Sequence, residues 1–306
     1  MNLQNSDSPN SASQEARCII ELLNNFSLET TPSGAKKIEN FSNFVRPNTT
    51  VFITFLPGTD YNETVLTAKK LRVEGLNPAP HFAARSIESK QMLEDYVQRV
   101  TGEAAVTKIL TVAGAGKEQL GPFPDSTSLL ETGIFDKYGI TEIGVAGHPE
   151  GSPDISDEEI QKALLKKNKY SDMTNAKLFI VTQFCFQSEV ILEWARKINS
   201  EGNKLPIIIG IPGIAKLSTL MNYSISCGIG NSIDFLKKQG SKMVNLIKTQ
   251  TPDRLIRELA RGKTDNGALR IEGLHIYPLG GLQKSSDWAF KTLDGKFKMT
   301  KDGFEV

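Results

Sequence analysis

The chain has 306 residues, 39% hydrophobic and 23% charged, which is ordinary for a globular protein with one large core or two smaller ones. Its net charge is +1, so nothing in the composition favours nucleic acid or an anionic membrane, and no apolar run approaches the ~18 residues of a spanning helix. Three cysteines, Cys18, Cys185 and Cys227, show no CxxC spacing, which argues against a disulfide framework or a zinc knuckle and suits a reducing, cytoplasmic setting.

Residues 1–14 are polar, lack an apolar signal core, and are expected to form a disordered lead-in. Apolar spacing over 15–25 predicts a helix, 26–31 a short first strand, and Pro32-Ser33 open a helix expected to run to Phe44. Strands follow at 50–55, 77–82, 108–112 and 142–146, with helices predicted at 62–74, 86–100 and 125–138 between them. Ser156 with Glu159 three residues on predicts an N-capped helix to Lys169. The stretch Leu178-Phe179-Ile180-Val181-Thr182-Gln183 is apolar throughout and polar only at its end, the pattern of a buried parallel strand with its chemistry at one rim. A helix over 188–200, a strand over 206–211, helices in much of 216–261, a last strand over 273–277 and a helix over 283–290 complete the pattern.

Eight strands separated by helical segments predict a single-domain α/β protein, a (β/α)8 TIM barrel over 15–290, with a charged C-terminal tail at 291–306. A doubly wound sheet would carry a glycine-rich nucleotide turn after its first strand, and none is present.

In such a barrel, polar residues at the carboxyl ends of strands are the catalytic candidates. Those positions hold Glu29, Thr54, His81, the Gly114–Gly116 loop, His148 with Glu150, Gln183 and Tyr277. Each also has a plain structural account: a satisfied core histidine, a surface carboxylate, a tight turn. All three histidines lie in or just after predicted strands, which scattered surface histidines would not do. No His-x-His pair occurs and His275 falls in mid-strand, so no metal site is expected. Gly116-Lys117 fails as a P-loop, because Thr111 and Glu118 stand where a glycine and a hydroxyl are required. Glu29, pointing into an apolar mouth, is expected to have a raised pKa and to serve as a general acid.

Several stretches in order, from about Phe26 to Ala289, resemble methylenetetrahydrofolate reductase. Ser27-Leu28-Glu29-Thr30-Thr31-Pro32 is similar to that family's Ser-Phe-Glu-Phe-(Phe)-Pro motif, and Val181-Thr182-Gln183-Phe184-Cys185-Phe186 to its Ile-Thr-Gln-Phe-Phe-Phe. Pro80-His81, Ala146-Gly147-His148-Pro149-Glu150, Gly210-Ile211-Pro212 and Leu274-His275-Ile276-Tyr277 resemble further family segments. The resemblance implies FAD at the barrel mouth, NAD(P)H as electron donor, tetrahydrofolate derivatives as substrates, and ping-pong hydride transfer between 5,10-methylenetetrahydrofolate and 5-methyltetrahydrofolate. It implies Glu29 as the acid and Gln183 as the partner of the pterin. Thr54, His81, Gly114, Ala115, Ala146, His148 and Lys167 would bind the cofactor, and Gln183, Leu217 and Tyr277 the substrate. A homo-oligomer in cytoplasmic one-carbon metabolism and methionine biosynthesis is the corresponding expectation.

The chain departs from that pattern. Ala113 and Ala115 replace an arginine and an aspartate, His148 a tyrosine, and Leu217 stands where an aromatic is often found. Losing an anion beside flavin and folate suggests that the physiological direction is oxidation of the methyl form. The alternatives are a flavin-poor folate-binding barrel acting as a partner subunit or methyl carrier, and an unrelated barrel lyase or hydrolase.

Overall fold

The computed structural model describes residues 9–114, 118–227, 229, 237, 247–265 and 269–306. Eight parallel strands close into a barrel: β1 (Ser27–Thr30), β2 (Thr50–Ile53), β3 (Asn77–Ala83), β4 (Lys108–Val112), β5 (Glu142–Gly147), β6 (Lys177–Phe184), β7 (Ile207–Pro212) and β8 (Ile271–Tyr277). Each strand pairs with its sequence neighbours and β8 closes onto β1, with Ser27 opposite His275. Every predicted strand is present, with its start displaced by two residues at most.

The strands are short and apolar because both faces are covered. Inward positions form a small interior layer of Phe52, Ala79, Leu110 and Val181, against which Val112, Phe179 and Ile208 pack. Outward positions such as Val51, Ile143, Ile180 and Ile209 join the larger cluster beneath the helices. Because alternate residues face the same way, Glu29 and Ser27 share the inner face of β1, and Tyr277 and His275 that of β8. At the end of β6 the pairing slips between Val181 and Phe184, a bulge that re-aims the polar tip of this strand.

The surrounding helices are α1 (Pro9–Leu23), α2 (Tyr61–Val73), α3 (Lys90–Ala104), α4 (Ser126–Leu130), α5 (Asp157–Ser171), α6 (Ser188–Ser200), α7 (Leu217–Ser226), α8 (Asp253–Asp265) and α9 (Leu282–Leu293). The capping box expected at Ser156 and Glu159 is present and opens α5. Other expectations change in detail. Helix α1 begins at Pro9, within the segment read as a lead-in, whereas residues 1–8 lie outside the described residues. The helix expected from Pro32 to Phe44 is instead the short helix Pro32–Ala35 followed by a 3-10 turn at Phe41–Asn43, capped by Asn40. The helix expected over 125–138 divides at Gly133, whose φ of +69° breaks the helical path. Most of 228–246, where helices were expected, lies outside the described residues.

The charged segment from residue 291 packs against the barrel. Strands Lys298–Met299 and Phe304–Glu305 form a hairpin, and Phe304, 2% exposed, stacks on Trp288 of α9. Arg257 of α8 binds Glu15 of α1 and donates to the carbonyls of Thr300 and Lys301, tying α1 and the C-terminal segment to one helix.

Candidate active site

A cavity of about 1010 Å³ opens at the carboxyl ends of the strands. Ten of the residues singled out from the sequence line it: Glu29, Thr54, His81, Gly114, Ala146, His148, Glu150, Lys167, Gln183 and Tyr277. Two do not belong to this set. Leu217 is 1% exposed, packed with Ala215 and Leu220 at the start of α7, so it offers no face to a ligand there. Ala115 lies outside the described residues. A smaller cavity of about 390 Å³, between β7 and α8, holds none of the predicted set.

Glu29 is the most densely bonded group at the mouth. Thr54 Oγ1 donates to its Oε1 at 2.5 Å, His275 Nε2 lies 3.3 Å from its Oε2, and His81 Nε2 lies 3.7 Å from the same oxygen. Burial by itself raises the pKa of this carboxyl. The hydrogen bond from His275, the charge of either histidine when protonated, and the Thr54 hydroxyl outweigh burial, and the net pKa is lowered. The expectation of a raised pKa is therefore corrected: the apolar mouth was visible in the sequence, but the donors around Glu29 were not. His81 is driven to about 4, chiefly by burial, so it is neutral near pH 7. The hydrogen bonds from His275 and Thr54, rather than a full charge on His81, hold Glu29 ionised there.

His275, which meets Glu29 from one layer below the cavity, was not among the candidate site residues read from the sequence. Its Nδ1 is 2.8 Å from Ser27 Oγ, and its ring stands edge-on to Phe52 and Tyr277. Its signal was its spacing: His275 is two residues before Tyr277 on one strand, and so shares the inner face.

At the mouth, two buried polar atoms, Gln183 Oε1 and His81 Nε2, make no hydrogen bond among the described residues, and His81 Nε2 has only the Glu29 carboxylate at 3.7 Å. Buried polar atoms are nearly always paired, so unpaired ones aimed into a cavity mark contacts awaiting a ligand. Tyr277 is anchored instead, its hydroxyl donating to the Thr182 carbonyl at 2.9 Å.

On the far side of the mouth, Lys167 of α5 is 5% exposed, and no hydrogen bond or ion pair to the described residues holds its ammonium. Burial lowers its pKa to about 8, opposed by the charge of Asp125. His148 is lowered to about 4 by burial and by Lys167. Gly114, at φ +97°, brings backbone within reach of the cavity; a Cβ there would lie 3.2 Å from that of Ala83. Among the described residues no group of three or more His, Cys, Asp or Glu side chains could hold a metal ion.

The arrangement is a (β/α)8 barrel whose mouth sets a buried, hydrogen-bonded carboxylate beside an imidazole and a side-chain amide oxygen that makes no hydrogen bond among the described residues. The family model described as methylenetetrahydrofolate reductase matches residues 24–280, and the chain belongs to that family. Over 153 residues, 48% of this chain, it is 28% identical to methylenetetrahydrofolate reductase 2 of Saccharomyces cerevisiae, and over 71 residues, 22% of this chain, 41% identical to methylenetetrahydrofolate reductase 1 of Schizosaccharomyces pombe. The matched stretches span 24% and 11% of those two proteins. A solved structure of an uncharacterized protein from Clostridium thermocellum, described as binding two copies of 5-methyl-5,6,7,8-tetrahydrofolic acid, has the same fold, with a TM-score of 0.54 and 14% identity over 93% of this chain and 98% of that one. No helix among the described residues is long and apolar enough to cross a membrane.

Proposed function

We propose that this protein interconverts 5,10-methylenetetrahydrofolate and 5-methyltetrahydrofolate, using FAD and NAD(P)H in two half-reactions. The observation that carries the reading is the convergence of Glu29, His81, His148 and Gln183, from the ends of four different strands, on one cavity. A volume of about 1010 Å³ is at the upper end for a ligand site and suits more than one heterocycle. The residues present fit a flavin dinucleotide. Gly114 permits close approach, and the ammonium of Lys167, which has only the more distant charge of Asp125 and no ion pair among the described residues, could take a phosphate. When bound, the flavin supplies hydride exchange; the chain supplies placement and electrostatics.

Gln183 offers an amide to the pterin, its Oε1 free to accept a ring N–H. Glu29 exchanges the proton that accompanies opening or closing of the folate's five-membered ring, with Thr54 and His275 fixing its orientation. The Clostridium thermocellum protein of like fold binds 5-methyltetrahydrofolate, in keeping with a folate as ligand. A cytoplasmic homo-oligomer serving methionine biosynthesis is the accompanying proposal.

The test is the visible spectrum of the purified protein, together with steady-state rates in both directions. A yellow protein with flavin absorbance, in which Glu29→Gln retains the flavin and loses about 10²–10⁴-fold in folate turnover, supports the reading. A colourless protein that binds folate and transfers no hydride would establish the binding-module alternative.

A further inference from the structure

Glu29 is the outer end of a chain of hydrogen bonds that runs beneath the cavity. Ser27 and His275 lie opposite one another across β1 and β8, 6% and 1% exposed. Ser27 Oγ is 2.8 Å from His275 Nδ1, and His275 Nε2 is 3.3 Å from Glu29 Oε2. Serine, histidine and carboxylate stand in the order of a hydrolytic triad but inverted in space. The carboxylate meets the ligand and the hydroxyl is sealed below, so Ser27 has no access to act as a nucleophile.

The hydrogen-bond roles follow from what each group can do. An ionised carboxylate only accepts, so His275 must present N–H at Nε2. Nδ1 is then an acceptor, and the Ser27 hydroxyl donates to it. That bond also fixes the ring against a half-turn, which would point carbon instead of nitrogen at Glu29. The edges of Phe52 and Tyr277, with centroids 5.0 and 4.5 Å from that of His275, wall the ring in.

We propose that Ser27 and His275 are positioning residues that hold the Glu29 carboxylate aimed at the folate, where it exchanges the proton that accompanies ring opening and closure. The inference rests on the folate reading above and names what fixes the aim of its acid–base group. As the five-membered ring closes, a carbon–nitrogen bond forms, the N–H bond at that nitrogen breaks, and its proton passes to Glu29. A bound flavin would supply the acceptor for the hydride that leaves the methyl carbon. The other groups facing Glu29 are Thr54 beyond β2, His81 on β3, Tyr277 on β8 and Cys227 after α7. Burial raises both the Tyr277 phenol and the Cys227 thiol, so each keeps its proton and adds no charge.

The experiment is a carboxyl ¹³C NMR titration of the flavin-loaded protein, with Glu29→Gln assigning the resonance. In the wild type Glu29 titrates below the ordinary glutamate range. In His275→Phe, burial goes unopposed by that donor, and the midpoint rises by more than about one pH unit, as does the acid limb of kcat/KM. Ser27→Ala gives a smaller rise, and Ser27→Thr restores the wild-type value. Should His275→Phe fail to fold, His275→Asn, too short to reach Glu29, carries the same expectation. An unchanged Glu29 midpoint in the folded His275 variant overturns the inference, whatever the activity. Full folate turnover in Glu29→Gln would instead overturn the folate acid–base reading and leave the titration result standing.

Discussion

Replacing Lys167 by methionine should make the ligand-free protein more stable. The side chain is 5% exposed with no ion pair among the described residues, and its pKa falls from 10.5 to about 8. A fall of that size corresponds to about 3 kcal/mol of penalty on the charged form. Below pH 8 the lysine is protonated in both folded and unfolded chains, so the whole penalty weighs on the folded state. As pH rises from 8 towards 10.5 the folded state sheds the proton first and the penalty disappears. Methionine keeps the stem's packing and removes the charge. Urea denaturation at pH 7 should therefore show Lys167→Met more stable by up to about 3 kcal/mol, with the difference shrinking towards zero near the ordinary lysine pKa of 10.5. Added FAD should reverse the order, because only the wild type gains a phosphate partner for its ammonium. A variant that is less stable than wild type at pH 7 without ligand would refute the reasoning, since the cation would then be contributing stability rather than being held ready for an anion.

Acid should destabilise the protein well before its carboxylates titrate. His81 and His148 are each lowered from 6.5 to about 4, so the folded state resists protons that the unfolded chain accepts, and stability is lost as pH falls through that window. By pH 5 the loss should be about 2 kcal/mol per histidine, with Glu29 contributing a further loss at lower pH still. A flat stability between pH 7 and pH 5 in denaturant titrations would contradict this. At the other end of the molecule, Phe304→Ala should cost about 3–5 kcal/mol by releasing the terminal hairpin from Trp288, while ligand affinity at the mouth stays unchanged. Limited proteolysis should then cut near residue 300 first; a melt unaltered by the substitution would mean that the hairpin contributes nothing to the barrel.

The barrel was legible because its strands carry two separable signals. Runs such as Leu178–Val181 are too short for helices and greasy on both faces, and polar residues stop them at one end only. Helices were less legible where turn chemistry competes. The segment from Pro32 to Phe44 reads as helix by composition, yet Asn40 accepts from Ser42 and nucleates a separate turn. Gly133 divides another predicted helix by adopting a positive φ that periodicity does not reveal. The terminal segment looked like a tail because of its lysines, and the single buried aromatic that docks it, Phe304, carries no periodic pattern.

The site shows a different limit. Strand ends located eight of these ten cavity residues because a strand's end can be estimated to within a residue or two, and everything at that level faces one opening; Ala146 and Lys167 came only from the family resemblance. What could not be read was the sign of the effect on Glu29. An apolar surround predicts a carboxyl that keeps its proton, and burial does push that way. The sign turns on two donors whose proximity is set by closure of the barrel: Thr54, one strand over, and His275, some 246 residues away along the chain. Such a contact depends on register, and register follows from the stagger of all eight strands together. His275 was nonetheless within reach of one further step. Tyr277 was placed inward at the mouth, alternation places His275 inward one layer below, and the first strand must lie beside the last in any closed barrel. A buried histidine one layer beneath a buried glutamate on the adjacent strand leaves few roles for either that do not involve the other.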